Sequence, residues 1–145
     1  MNKMLFRGFH KNENGTKTIF INGEKITGEW IIGDGIHYPK SFNYIGTCWI
    51  DGMRARANDW VPVMPETVGV YTFCNDCNST KIFTGDIAKE ACNGLIGVVE
   101  WEDSIATYKL KGYGDGYSIQ DSHIEWEIVG NMWENPELIK DGVNV

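Results

Sequence analysis

Residues 18–32 read TIFINGEKITGEWII, two runs of β-branched and aromatic residues separated by Asn22-Gly23. Asn-Gly between apolar runs is the strongest short-range signal for a β-hairpin, because both central positions of a type I′ turn require a positive φ. In the returning run, apolar side chains alternate with charged ones at Lys25 and Glu29. This stretch therefore predicts an antiparallel hairpin with one apolar face, and with it a β-rich fold.

A second clear strand is predicted over residues 123–133. The alternation there places Trp126 toward a core and Glu125 and Glu127 toward solvent. Asn135-Pro136-Glu137 then resembles a helix start, because Asn can cap, Pro fits the first helical position and Glu favours the positive N-terminal end. We expect this helix to last about one turn.

Two prolines at Pro62 and Pro65 indicate a division of the chain. Proline lacks a backbone N–H and restricts the residue before it, so two prolines in four residues are unusual inside a strand. We therefore predict an N-terminal β segment over residues 1–60 and a C-terminal β domain over residues 61–145. The apolar and aromatic content of the first segment indicates contacts in a homo-oligomer.

Composition and charge restrict the function. The chain has 145 residues, about one domain's worth, and a formal net charge of -7. An acidic chain argues against a nucleic-acid partner held through phosphates, which Lys and Arg must neutralise. The sequence shows neither a signal peptide nor a membrane-spanning run, so we expect no membrane partner, a cytoplasmic location and reduced cysteines.

Cys74 and Cys77 form the most suggestive local motif, Cys-Asn-Asp-Cys. A Cys-x-x-Cys pair can supply two ligands of a zinc site or act as a redox pair. Zinc needs two further ligands, and a thioredoxin-like site needs a βαβ context, which this sequence lacks. The other candidate ligands are isolated in the sequence: Cys48, Cys92, His10, His37 and His123. We therefore predict structural thiols, no metal and no cofactor, with metal or redox chemistry as an alternative.

Acidic side chains offer no clear acid–base pair. Glu100, Glu102 and Asp103 lie close together, but such a pair needs one carboxylate in an apolar pocket. Exposed glutamates are common, so we interpret this group, and Glu125 with Glu127, as solvated faces. No nucleophile motif is present, and we predict that the protein is not an enzyme.

Two further groups have weaker functional interpretations. Arg54 and Arg56 follow Trp49 and precede Trp60, and arginine with tryptophan can bind single-stranded nucleic acid. Pairing of these arginines with surface acids is the simpler interpretation, given the net charge. The Gly-rich loop at residues 112–116, with Tyr113 and Tyr117 on either side, does not lie between a strand and a helix, as a phosphate loop would.

Three stretches together resemble the YopX family of phage and prophage proteins. Residues 5–9, LFRGF, resemble the family's opening FRxW strand. Residues 65–87 resemble the segment PETVGQYTGLKDKNGKxIYEGDIV, except that FCNDCNST replaces GLKDKNGK at residues 73–80. Residues 128–138, IVGNMWENPEL, are similar to IIGNIYENPELL. The dense part of the resemblance covers about residues 61–139.

The resemblance implies a phage-encoded, mainly β protein in the cytoplasm of a bacterial host, and it implies no reaction. We expect a small SH3-like barrel in the C-terminal domain, little helix, and a non-catalytic interaction or assembly role with an unknown protein partner. The resemblance gives the following residues structural roles in turns, a strand kink and a cap: Gly85, Asp86, Ile87, Gly130, Asn131, Asn135, Pro136 and Glu137.

Overall fold

The computed structural model describes residues 4–37, 48–51, 60–92, 94–104, 106–111, 118–120 and 124–139. The chain divides into two compact units, Met1–Tyr71 and Thr72–Val145. The strands are β1 (Phe6–Lys11), β2 (Lys17–Ile21), β3 (Glu24–Gly33), β4 (Ile36–His37), β5 (Cys48–Asp51), β6 (Trp60–Asn75), β7 (Lys81–Phe83), β8 (Asp86–Glu90), β9 (Ile96–Glu102), β10 (Thr107–Leu110) and β11 (Trp126–Asn131). A 3₁₀ helix spans Pro136–Ile139.

The first unit contains an antiparallel sheet with strand order β2-β3-β1-β6-β5-β4. Strand β7 also pairs with β6, whose residues after Tyr71 belong, like β7, to the second unit. The predicted hairpin joins β2 to β3. Asn22 and Gly23 have φ values of 51° and 83°, and Ile21 pairs with Glu24 across the turn. These positive φ values are those of a type I′ turn, so the prediction of the hairpin is confirmed.

A wide bulge interrupts the pairing of β1 with β6. Phe9 pairs with Met64 and Arg7 with Gly69, so that only Gly8 on β1 faces residues 65–68 on β6. The buried Thr67 bridges this gap. Its hydroxyl accepts a hydrogen bond from the Phe9 N–H at 2.9 Å and donates one to the Met64 carbonyl at 2.6 Å. One threonine thus replaces the backbone bonds that the bulge removes.

Both prolines lie inside β6, contrary to the expectation that they end a strand. Pro65 lies in the bulge, where no residue of β1 is paired with it, so its missing N–H removes no bond of that ladder. Pro62 pairs with Trp49 of β5, and its carbonyl oxygen lies 2.8 Å from Nδ1 of His10. The two units meet in sequence at Tyr71, within β6, whereas the sequence predicts a division at residue 60.

One core cluster of the first unit lies on one face of its sheet, while Phe9, Ile19 and Ile26 are buried on the other face. The cluster consists of Ile31, Cys48, Ile50, Val61 and Val63. Gly8 allows this packing, because a Cβ at residue 8 would come within 2.7 Å of a Val63 methyl carbon. The small residue between the aromatic Phe6 and Phe9 therefore brings β1 close to β5 and β6.

The second unit contains an antiparallel sheet with strand order β10-β9-β8-β11. Its core cluster comprises Ile82, Ala88, Val99, Leu110, Ile119 and Trp126. Trp126 is only 3% exposed, whereas Glu125 and Glu127 are exposed. The predicted register of this strand is therefore confirmed, although the strand covers Trp126–Asn131 and is shorter than predicted.

The prediction of a mainly β fold with little helix is confirmed. In the described ranges the two sheets are open and antiparallel and form no closed barrel, so the SH3-like barrel is not confirmed. A barrel requires pairing between the two edge strands. Here β10 and β11 lie at opposite edges of the second sheet, and other segments cover them.

No helix among the described residues has the length and apolar character needed to cross a membrane.

Candidate functional site

Asp76 organises the turn that contains Cys74 and Cys77. Its Oδ1 accepts hydrogen bonds from the N–H groups of Asn78 at 2.9 Å and Thr80 at 2.8 Å. Its Oδ2 accepts a third from Ile128 of β11 at 3.0 Å, and the adjacent Cys77 N–H donates to the Trp126 carbonyl at 2.8 Å. The turn is therefore fixed to the edge of β11 by one buried carboxylate and one backbone bond.

The environment of Asp76 favours its charged form. Burial would raise the pKa of this carboxyl group, but the N–H groups of Ile128, Thr80 and Asn78 outweigh burial and lower it. A carboxylate that accepts several backbone N–H bonds is stabilised as the anion. Asp76 thus acts as a structural anion in this turn.

A cleft of about 270 Å³ lies beside this turn. Its walls include Cys74, Cys77, Ile119, Gln120 and Trp126. The indole N–H of Trp126 is buried and has no hydrogen-bond partner in the part of the chain that the structure describes. The cleft thus brings the cysteine pair of the sequence motif next to the main aromatic residue of the core.

The thiols of this pair are held in their protonated form. Burial raises the pKa of Cys74, and the Thr72 hydroxyl only partly offsets it. The pKa of the exposed Cys77 is also raised, by slight desolvation first and then by the charges of Asp76, Glu127 and Glu125. Both cysteines are free thiols. Among the described residues, no group of three or more His, Cys, Asp or Glu side chains is placed to hold a metal ion.

Two segments that carry the family resemblance, around Gly85 and around Gly130, meet in the second unit. Gly85 has a φ of +92°, and a Cβ there would overlap the Trp133 ring. The Gly85 carbonyl accepts a bond from the Met132 N–H at 2.9 Å. Ile87 is fully buried and pairs with Gly130 on β11. Gly85 is therefore required both by its backbone conformation and by the tryptophan that covers it.

Side chains in these segments satisfy backbone groups at the turns. Oδ2 of Asp86 accepts a bond from the Phe83 N–H at 2.8 Å, within its own turn. Oδ1 of Asn131 accepts bonds from the N–H groups of Trp133 at 3.1 Å and Glu134 at 2.8 Å. Its Nδ2 donates to the Glu134 carboxylate at 2.7 Å. Asp86 and Asn131 also pair with each other across β8 and β11.

The side chain of Asn135 hydrogen-bonds the end of β11 rather than capping the helix that follows. Its Oδ1 accepts a bond from the Asn131 N–H at 3.2 Å, and its backbone carbonyl accepts one from Leu138 at 3.0 Å. A Cβ at Gly130 would collide with this asparagine, so the glycine makes room for it. Pro136 is the first residue of the 3₁₀ helix, and Glu137 provides the acidic group of its first turn.

The acidic residues Glu102 and Asp103 at the β9–β10 hairpin interact with neighbouring side chains of the same hairpin. Glu102 accepts a hydrogen bond from Ser104 at 2.7 Å and pairs with Lys109 at 3.1 Å. The bond from Ser104, followed by Lys109, lowers the pKa of Glu102. Asp103 accepts a bond from the Trp101 indole at 2.5 Å, and Glu100 is half-buried on β9 opposite Lys109. These contacts agree with the interpretation of the group as a surface cluster.

An aromatic cluster of His37, Trp49 and Trp60 lies at the β4–β5–β6 side of the first sheet. The His37 ring centroid lies 6.1 Å from that of Trp49 and 6.2 Å from that of Trp60. Trp60 is 40% exposed, His37 is exposed and Trp49 is half-buried. The structure thus brings together the two tryptophans that the sequence singled out and adds a histidine to them.

Several candidates from the sequence lie outside the described residues: Arg54, Arg56, residues 112–116, Tyr113, Tyr117 and His123. The other isolated ligand candidates do not join the cysteine turn. Cys48 is in the core of the first unit, and Cys92 is exposed after β8. Its N–H donates to the Glu90 carboxylate at 3.0 Å.

The sequence analysis did not predict that Asp76 holds its turn or that His37 joins the two tryptophans. A signal for Asp76 was present, because the similar family segment GLKDKNGK also has an aspartate at the fourth position of residues 73–80. No local signal exists for His37, which reaches Trp60 only because β4 and β6 both pair with β5. Contacts of that kind depend on sheet order, which local patterning does not specify.

These features define an antiparallel β protein whose signature glycine, aspartate and asparagine residues hold turns and a bulge. The family model described as YopX protein matches residues 5–140, and the chain belongs to the YopX family. The resemblance predicted from the sequence is thus confirmed. Membership indicates a phage-type protein and specifies no reaction. A search of curated proteins finds no match.

Proposed function

We propose that this chain is a non-catalytic phage or prophage protein that acts in the cytoplasm of the bacterial host as an interaction module for a protein partner. The observation that carries the proposal is the aromatic cluster of His37, Trp49 and Trp60. It presents an exposed tryptophan and histidine on the same face of the sheet.

Aromatic clusters of this kind suit protein recognition. Tryptophan is enriched at interfaces and at the residues that dominate binding energy, because it buries a large area with little loss of side-chain entropy. Gly35 packs beside Trp60, with its ideal Cβ position 3.3 Å from the indole ring. A glycine at this position leaves room for the indole ring beside the strand end, since a side chain there would crowd it.

The chemistry of the other candidate groups supports a non-catalytic role. Asp76, Asp86 and Asn131 hold backbone amides, as described above. The raised pKa values of Cys74 and Cys77 disfavour the thiolate that nucleophilic or redox chemistry requires. A double Cys74→Ser/Cys77→Ser variant should therefore keep its fold, and metal analysis of the parent purified without chelator should find no stoichiometric zinc.

Nucleic-acid binding is the alternative function that the aromatic cluster also permits, since bases stack on tryptophan. The net charge of -7 opposes it. Gel shifts with single-stranded DNA and RNA at several salt concentrations distinguish the two functions, because phosphate contacts produce a strong salt dependence. Under the proposed function, we expect no shift at physiological salt.

The direct experiment compares two exposed tryptophans, one in each unit. Tagged parent, Trp60→Ala and Trp101→Ala proteins are incubated with lysate of prophage-bearing cells, and captured proteins are identified and then purified for binding measurements. Trp101 is 47% exposed, so its truncation controls for the general loss of a surface indole. We expect Trp60→Ala to weaken binding by about thirty-fold, as for an interface hot spot of about 2 kcal/mol.

The result that contradicts the proposal is equally specific. If purified partners bind the parent and the Trp60→Ala protein with equal affinity, the aromatic cluster is not the recognition surface. If neither lysate nor purified phage proteins yield a partner whose binding is lost in Trp60→Ala and kept in Trp101→Ala, the interaction role itself is wrong. Circular dichroism of both variants shows that each remains folded.

A further inference from the structure

Among the described residues of the first unit, nothing pairs with the outer edge of β2. This strand is the last in the sheet order, and β3 is its only pairing partner among the described strands. Its sequence, KTIFI, is rich in β-branched and aromatic residues and contains no proline. Edge strands are usually protected by charges, prolines or bulges, because an open edge is a template for further pairing. This edge has a lysine only at its first position.

The turn determines which backbone groups face outward. In a two-residue hairpin, the residues that flank the turn form a hydrogen-bonded pair, so Ile21 bonds to Glu24. Bonding to β3 then alternates along β2, and the N–H and C=O groups of Thr18 and Phe20 point away from the sheet. Neither residue has another backbone partner in the described part of the chain.

We infer that β2 pairs with β2 of a second copy of this chain, in an antiparallel arrangement with its twofold axis at Ile19. In this register Thr18 lies opposite the partner's Phe20, and Phe20 lies opposite the partner's Thr18. All four residues carry outward N–H and C=O groups, so the two strands exchange four backbone hydrogen bonds. The two first-unit sheets become one continuous sheet.

Side chains on both faces fit the same register. Phe20, which is 40% exposed, shares a face with Thr18 and covers the partner's threonine. Lys17 lies opposite the partner's Ile21, whose own neighbour across the hairpin is Glu24. The pairing therefore places the lysine of each copy two strands, or about 10 Å, from a glutamate of the other. This charge match favours a second copy over an unrelated strand.

The inference is independent of the proposed function, because the β2 edge and the aromatic cluster lie at opposite ends of the strand order. The test measures the mass of the full-length chain by size-exclusion chromatography with light scattering, from about 1 to 100 μM. We expect the parent to be a dimer and Phe20→Lys to be a monomer, because a charge at the centre of the edge opposes strand pairing. Ile32→Lys is the matched control. Ile32 is 41% exposed in β3, which is paired on both sides, and this variant should remain dimeric.

A charge exchange tests the register. Lys17→Glu replaces an attraction by a repulsion at each of the two Lys17–Glu24 pairs and should weaken the dimer roughly two- to five-fold, the range of a surface charge interaction. Adding Glu24→Lys to that variant should restore the parent affinity. A monomeric parent at 100 μM, a dimeric Phe20→Lys protein, or a failure of the double variant to recover would each overturn the inference.

Discussion

The two sheets differ in whether their edge strands are covered by other segments of the chain. In the second unit, the turn at Asp76 and Cys77 covers β11, while a bridge between Ser118 and Lys109 covers β10. In the first unit, β2 has no such cover among the described residues. The signature residues of the family concentrate in the covered unit. Among the described residues, the second sheet thus has both edges covered, by one side chain and by backbone bonds, whereas the β2 edge of the first sheet has no cover.

In both units, nevertheless, a side chain accepts a hydrogen bond from a backbone N–H group at a β-bulge. Thr67 bridges the wide bulge between β1 and β6 in the first unit. In the second unit, Val129 is the extra residue between Ile128 and Gly130, and Asn135 bonds the Asn131 N–H just beyond it. The comparison predicts that each unit depends on a small number of polar side chains, and the following variants test it from the largest effect to the smallest.

Truncation of Trp126 should produce the largest loss of stability. This residue is the largest side chain in the core cluster of the second unit. We expect Trp126→Ala to reduce the free energy of unfolding by about 3–5 kcal/mol. Glu127→Ala, at the exposed neighbour, should cost less than about 0.5 kcal/mol. Urea denaturation measures both, and equal midpoints would contradict the register described for β11.

Loss of the Asp76 carboxylate should uncover the edge of β11. Asp76→Ala leaves three backbone N–H groups without their acceptor, and we expect a cost of about 3 kcal/mol at neutral pH. The lowered pKa adds a pH signature. The stabilisation is present above the unfolded pKa of about 3.9 and is lost as pH falls through the lower folded value.

The pH signature is measured by unfolding parent and Asp76→Ala at several values between pH 6 and pH 2. The difference between their free energies of unfolding should shrink toward the acid end of this range. Asp103→Ala serves as the control for removal of a surface carboxylate. A difference that stays constant with pH would show that the Asp76 charge contributes nothing to the turn.

Two buried threonines provide a direct comparison of the units. The Thr67 hydroxyl links β1 to β6, and the Thr72 hydroxyl donates to the Ile82 carbonyl at 2.9 Å and accepts from Cys74. Thr67→Val should cost about 2 kcal/mol, because it leaves the Phe9 N–H buried and unpaired in the bulge. Thr72→Val should cost about 1 kcal/mol, since the N–H that it frees belongs to the half-buried Cys74. Thermal unfolding of the two variants measures both losses of stability. A smaller loss for Thr67→Val than for Thr72→Val would mean that the bulge relaxes around the substitution.

A stabilising change should be the smallest effect. Ser79 has a φ of 66°, and the similar family segment has glycine at this position. Ser79→Gly should therefore raise the free energy of unfolding by about 1 kcal/mol, because glycine adopts this conformation without a Cβ clash. Ser79→Ala keeps the Cβ and should give no gain. Chemical denaturation separates the two, and equal stability would mean that the turn at Asp76 carries no strain.

Local patterns were sufficient for much of this fold. Asn22-Gly23 specifies the first hairpin by its own conformational preferences, and the alternation around Trp126 specifies which face of β11 is buried. The bulge at Thr67 was not predictable in the same way, because its hydrogen-bond partner Phe9 lies 58 residues earlier. For the same reason Pro65 indicated a boundary in the sequence but occupies a bulge in the structure.

The buried thiol of Cys48 can report transient local opening of the first unit. Its side chain is fully buried, and burial followed by the charge of Glu66 raises its pKa to about 11. Alkylating reagents attack the thiolate, so at neutral pH they reach this cysteine only during transient opening of the first unit. Cys77 and Cys92 are exposed and react without opening. The ratio of the alkylation rate of Cys48 to that of the exposed cysteines therefore measures how often the first unit opens locally at β5 in the native protein.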